Sequence, residues 1–262
     1  MNLISKSLLL YSVATVLSLL SVVTAEINPK KVNIVLVHGA LADGSSWSKV
    51  IPILQAAGHG VTAVQQPLSS IDDDVAKTKS VLARIPGPIV LVGHSFGGVV
   101  ITQAGHKASN VAALVYVAAF APDKGESVNE IGKNFTALPS AAAFVSDSQG
   151  RLTLPQDKFL TYFCPDVEKK EARIMAAVQG PCDAPRFDYT SGAPAWKEHP
   201  SYYIVAGKDQ IINPKMLAYF AKRIKAKKTV TVPGASHALM VSHPKEVAAV
   251  ILEAAKAAAK AQ

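Results

Sequence analysis

Three residues in this chain have the types and the order that nucleophilic catalysis at a carbonyl requires. Ser95 sits inside Gly93-His94-Ser95-Phe96-Gly97, Asp209 inside Gly207-Lys208-Asp209-Gln210, and His237 at the end of Pro233-Gly234-Ala235-Ser236-His237. A serine hydroxyl is a poor nucleophile at neutral pH. It needs an imidazole to take its proton and a carboxylate to orient that imidazole. The Gly-x-Ser-x-Gly frame follows an apolar run at 89–92 and precedes a helix-like segment. In that context a serine is held on a sharp strand-to-helix turn with its hydroxyl presented for attack, and its acid and base follow in the order seen here. Asp123 is the alternative acid, although Ala121-Pro122-Asp123 reads more simply as a turn.

Charge developing on a carbonyl oxygen needs two donors aimed at it. One is expected from the amide of Phe96, directly after the nucleophile. The other is expected from the His38-Gly39-Ala40-Leu41 loop, at Ala40 or one residue on at Leu41. Of the remaining histidines, His38 and His94 belong to a His-Gly turn and to the elbow itself and read as structural. His59, His106, His199 and His243 lie near helix ends or loops without a supporting motif.

The elements that must position these groups alternate regularly. Strands are predicted at 32–37, 61–64, 89–92, 112–117, 202–206 and 229–232, with helices at 47–57, 70–84, 98–108, 214–224 and from 244 onward. Asp72, Asp73 and Asp74 in the first turn of the second helix complement its dipole. Such alternation predicts an α/β fold: a mostly parallel, doubly wound sheet with helices on both faces. The catalytic candidates then fall at strand C-termini, the edge where open parallel sheets carry their sites. The pattern breaks at about 122–194, which is richer in Pro, Gly, Ser and Asp, shows no strand periodicity and holds one predicted helix at 165–178. It reads as a lid inserted into a domain spanning 26–262. Within and beside it, Leu41, Phe135, Leu138, Phe144, Phe159, Tyr162, Phe163 and Ala238 are the expected lining of an apolar substrate pocket.

Residues 1–25 have the layout of a secretory signal peptide: Lys6, an apolar stretch over 8–20, then Val23-Thr24-Ala25 as the cleavage site. A periplasmic or secreted address follows, with no stable membrane insertion after cleavage. In an oxidising compartment Cys164 and Cys182 are expected to pair, and neither has neighbours suited to a metal. A net charge of +8 raises the question of an anionic partner. Its densest run, Lys222-Arg223-Ile224-Lys225-Ala226-Lys227-Lys228, sits at a helix C-terminus, where cations are favoured. Aromatic residues make up only 6% of the chain and do not interleave with the basic ones, so nucleic-acid binding is not expected.

Leu36-Val37-His38-Gly39-Ala40, Ala57-Gly58-His59-Gly60-Val61-Thr62-Ala63, the elbow through Gly98, and Ala118-Ala119-Phe120-Ala121-Pro122-Asp123 resemble the α/β-hydrolase superfamily. More narrowly, they resemble plant methylesterases and hydroxynitrile lyases and their bacterial esterase relatives. The resemblance implies a cofactor-independent serine hydrolase acting on small-molecule carboxylic esters. Ser95, Asp209 and His237 fall on its triad positions, and Ala40 and Phe96 on its oxyanion positions. Lyases of the family carry threonine after the first-loop histidine and lysine after the catalytic one. Gly39 and Ala238 stand there in this chain, so ester hydrolysis is expected, with a lyase-like enzyme or a non-catalytic binding relative as alternatives.

Overall fold

The structure, a computed structural model, describes residues 32–261. The leader-like stretch 1–25 lies outside the described residues. Among these, the strands are β1 (Asn33–Val37), β2 (Gly60–Val64), β3 (Ile89–His94), β4 (Val111–Val117), β5 (Val145–Ser146), β6 (Arg151–Thr153), β7 (Cys182–Asp183), β8 (Ser201–Ala206) and β9 (Lys228–Val232). Six of them form one parallel sheet in the order β2-β1-β3-β4-β8-β9. The inner strands β3 and β8 are buried at every position and β1 and β4 at all but one, whereas β2 and β9 expose part of their length. That is the burial expected when both faces of a parallel sheet are covered and only its edges meet solvent.

The helices beside the sheet follow the sequence closely. α1 (Ile51–Ala56) is shorter than expected, because a 3-10 turn over Gly44–Trp47 precedes it and Pro52 stands in its first turn. α2 (Ile71–Leu82) is capped by Ser70, whose side chain accepts the Asp73 amide at 3.1 Å. α3 (Gly97–Ala104) starts directly from the elbow and is buried along nearly all its length. The C-terminal helix Pro244–Lys260 packs on β3, β4 and β8, and its stripe of Ala248, Ala254, Ala255 and Ala258 lets it approach the sheet closely.

Between β4 and β8 the chain builds the inserted segment. It contains the short helix α4 (Val128–Gly132), a 3-10 turn Pro139–Ala143, a π-helical turn Phe159–Phe163, the helix Lys169–Ala177 and a 3-10 turn Ala184–Asp188. It also contains the small antiparallel sheet β5-β6-β7, which the sequence did not announce. Strands of two and three residues are too short to display an alternating pattern. Arg186 locks the segment to the core. Its buried guanidinium donates to Asp183 Oδ1 through Nε (2.7 Å) and Nη2 (2.5 Å), and to Asp74 Oδ2 of α2 through Nη1 (3.3 Å). A buried pair of this kind holds only while every charge keeps its partner.

The expected disulfide is not formed: Cys164 and Cys182 are both free and buried. Cys164 ends the π-helical turn, where its thiol reaches the Phe159 carbonyl at 3.7 Å, while Cys182 pairs with Leu152 in the small sheet. The two sulfurs belong to different substructures of the insertion, which an 18-residue spacing could not reveal. No helix among the described residues is long and apolar enough to cross a membrane.

Candidate active site

Ser95 occupies the step between β3 and α3 with φ +53°. A side-chain-bearing residue held in this left-handed region costs about 1–3 kcal/mol, and the surroundings fix it there. Its amide donates to Val117 O of β4 (3.2 Å), and its carbonyl accepts the amides of Gly98 (3.0 Å) and Phe120 (3.2 Å). Glycines in the elbow and in the facing loop after β1 serve close approach. A Cβ on Gly97 would lie 2.6 Å from Val37 O, and one on Gly39 would lie 2.6 Å from Ser95 Cβ and 3.1 Å from its Oγ. Without those side chains the elbow docks onto the end of β1, which brings the His38–Leu41 loop beside Ser95.

Asp209 and His237 reach the same edge from the loops after β8 and β9. The two loops are joined by Gly207 N–H to Val232 O and by Lys208 N–H to Ala235 O, both at 2.9 Å. His237 Nδ1 lies 2.7 Å from Asp209 Oδ2, with both side chains fully buried. The other carboxylate oxygen, Oδ1, accepts the amides of Ile211 (2.7 Å) and Ile212 (2.9 Å). An ionised carboxylate accepts only, so His237 carries its proton on Nδ1. Nε2 is left as a lone pair, and it has no hydrogen-bond partner among the described residues. His237 and Ser95 line one cavity together with Ala40, Leu41 and Phe96. The arrangement brings an oriented imidazole, a serine and the residues expected to supply the backbone donors, Ala40 and Phe96, to a common space.

The other histidines are accounted for by structure. His38 Nε2 accepts the Gln66 amide (2.9 Å), so its Nδ1–H donates to Gly39 O (2.8 Å), and burial lowers its pKa. His94 Nε2–H donates to the His237 carbonyl at 2.9 Å. Burial first, and then the neighbouring His237, hold His94 well below the usual imidazole range. It supports the loop that carries His237 through this bond. His59, His106, His199 and His243 make local contacts outside the cavity. Asp123 pairs with Lys197 at 2.6 Å near the surface and takes no part in the site.

The cavity measures about 680 Å³ and is walled largely by the insertion. Of the expected lining residues, Leu41, Phe135, Leu138, Phe144 and Phe163 face it; Phe159, Tyr162 and Ala238 do not. Phe159 instead stacks on Phe163 (centroids 4.4 Å apart) and borders a separate cavity of about 230 Å³, and Ala238 is fully buried. Phe163 is the residue of its turn that meets the site, edge-on to His237 with centroids 4.9 Å apart. Sequence reasoning missed Phe120, Val128, Phe187, Ile211, Ile212 and Met216. Phe120 and Ile211–Ile212 lie just past the ends of β4 and β8, so the strand-edge rule that located Asp209 also pointed to them. Nothing local marks Phe187, whose ring packs edge-on against Phe96 at 4.9 Å. Among the described residues no cluster of His, Cys, Asp and Glu has the make-up of a metal site.

Comparison with known proteins bears on the fold and the family. Residues 34–250 match the model of the alpha/beta hydrolase family. Methylesterase 2 of Arabidopsis thaliana is 34% identical over 123 residues, a match that covers 41% of this chain and 47% of that protein. Alpha-hydroxynitrile lyase of the same plant is 26% identical over 83% of this chain and 95% of its own length. Among solved structures, a pyrethroid hydrolase from Sphingobium faniae JZ-2 superposes with a TM-score of 0.70 at 25% identity, covering 88% of this chain and all of that one. With its elbow serine, its strand-edge loops and a family match spanning the whole sheet, the chain belongs to the alpha/beta hydrolase family.

Proposed function

We propose that this carboxylesterase-like hydrolase cleaves small-molecule carboxylic esters through an acyl-enzyme on Ser95. The observation that carries the reading is the buried Asp209–His237 pair, 2.7 Å apart, whose unpartnered Nε2 borders the cavity that Ser95 also lines. In the proposed sequence His237 Nε2 takes the Ser95 Oγ proton as Oγ attacks the ester carbonyl. The Ala40 and Phe96 amides hold the oxyanion, and Asp209 stabilises the imidazolium. Collapse expels the alcohol, which takes the proton from His237. Water, deprotonated by the same nitrogen, then releases the acid and restores Ser95.

The cavity supports hydrolysis over cyanohydrin cleavage. Its lining among the described residues includes no lysine or arginine to stabilise a departing cyanide. At Gly39, a threonine side chain has no room beside Ser95. With Phe120, Phe135, Phe144, Phe187 and Met216 on its walls, and Asp188 as the one ionisable lining side chain besides His237, the cavity suits neutral esters with an apolar acyl group. The 1–25 leader pattern supports a periplasmic or secreted address, which cell fractionation tests. For the chemistry, Ser95→Ala is expected to lower kcat on p-nitrophenyl esters by several orders of magnitude, the scale of removing a nucleophile, and to abolish labelling by a fluorophosphonate. Near-wild-type hydrolysis by this variant refutes the assignment. Faster turnover of a cyanohydrin than of any ester in a panel graded by acyl length refutes the hydrolytic reading.

A further inference from the structure

We infer that Asp166, in the inserted segment, is a positioning residue for the general base: it sets the placement of His237 by holding the residue before it, while its own segment holds the residue after it. The inference rests on the proposed role of His237. The loop Pro233–Leu239 comes off an edge strand, β9, which has a paired neighbour on one side only. Besides strand pairing, the loop is tied at Ala235, whose carbonyl accepts the Lys208 amide, and at the His237 carbonyl, which accepts from His94. Contacts from the insertion add to these on either side of His237 in sequence. Asp166 Oδ2 accepts the Ser236 amide at 2.9 Å, and Asp166 Oδ1 accepts the Ser236 hydroxyl. On the other side of His237, the Ala238 amide donates to Phe163 O at 3.2 Å. The Phe163 ring then packs edge-on to the imidazole.

The imidazole is thus flanked in sequence by two residues that both hydrogen-bond to the four-residue stretch Phe163–Asp166. Ser236 is 1% exposed, so its amide and hydroxyl have little access to water as a replacement partner, and loss of the carboxylate leaves the buried amide unmet and the hydroxyl with only its longer bond to Phe163 O at 3.3 Å. His243 Nδ1, which pairs with the Ser242 hydroxyl, lies 3.6 Å from Asp166 Oδ2. Asp209 fixes the imidazole's tautomer and tilt, whereas Asp166 fixes where the loop carries it. A displacement of about 1 Å of a catalytic group can cost about 10²-fold in rate.

The test compares Asp166→Ala, Asp166→Asn and Ser236→Ala, with Ser95→Ala as reference. In Asp166→Ala, kcat on a p-nitrophenyl ester is expected to fall about 10- to 100-fold with KM within about twofold, and fluorophosphonate labelling of Ser95 is expected to slow in proportion. Asp166→Asn keeps one oxygen for the Ser236 amide and a polar group for its hydroxyl, so it is expected to restore most of kcat. Ser236→Ala, which removes the hydroxyl's bonds to Asp166, Phe163 and the Ala238 amide but keeps the Ser236 amide on Asp166, is expected to fall between them and covers the case in which Asp166→Ala does not fold. Wild-type kcat in both Asp166→Ala and Ser236→Ala overturns the inference, as does a loss in Asp166→Ala that Asp166→Asn shares fully. If Ser95→Ala retains activity, the catalytic reading itself has failed, and that result is distinct from either.

Discussion

Replacing Asp209 by asparagine changes one atom of a fully buried side chain, and the structure dictates how the new amide must sit. Oδ1 now accepts two backbone amides, from Ile211 and Ile212, while Oδ2 faces His237 Nδ1 at 2.7 Å. Turning the asparagine NH₂ toward Ile211 and Ile212 would leave one partly buried and one buried N–H group without acceptors, at about 1–3 kcal/mol each. A penalty of about 2–6 kcal/mol thus keeps the amide oxygen on the backbone and aims the NH₂ at His237. Nδ1 must then act as acceptor, the imidazole proton moves to Nε2, and the base presents a hydrogen where it needs a lone pair. Fixing the wrong tautomer in this way costs about 10⁴ in kcat in a well-studied serine protease, or about 5.4 kcal/mol at 1.36 kcal/mol per decade. We expect a loss of that order in kcat for p-nitrophenyl esters. The fold should be retained, because volume and backbone contacts are kept; circular dichroism and thermal melting check this. A folded Asp209→Asn enzyme within tenfold of wild-type kcat would refute the tautomer argument and remove Asp209 from the site.

Two further outcomes follow from the buried groups. His38 and His94 have folded-state pKa values depressed by burial from the usual 6.5, so the unfolded chain takes up protons at a pH where the folded one does not. The stability they secure is present above about pH 6.5 and is lost as pH falls below it, by up to about 1.4 kcal/mol per pH unit for each group; a Tm unchanged between pH 7.5 and 5 rules this out. Burial also pushes the thiols of Cys164 up to about 12 and of Cys182 up to about 11, which suppresses the reactive thiolate. The folded protein at pH 8 should therefore react negligibly with a thiol reagent. Unfolded without reductant, it should titrate two thiols, and recovery of none would show a disulfide in place of the free pair.

The sequence by itself determined the sheet and the chain order of the candidate catalytic groups. Central parallel strands are buried on both faces, so β1, β3, β4 and β8 stand out as apolar runs; a nucleophile elbow is a local turn whose glycines and strand-to-helix context are all within a few residues. Asp209 and His237 were legible for a related reason, since each follows directly on such a run. What the tertiary structure alone decided lies in the insertion and in the contacts it makes. Phe159 and Phe163 share one turn, yet only Phe163 reaches the cavity. Phe187 meets Phe96 across ninety residues of chain, Arg186 joins α2 to the 3-10 turn Ala184–Asp188, and the two cysteines remain apart. Asp166 is an ordinary loop carboxylate until the fold brings it to Ser236. Local pattern records which backbone conformation a segment favours, whereas these pairings depend on how irregular segments without a period pack against a sheet already formed.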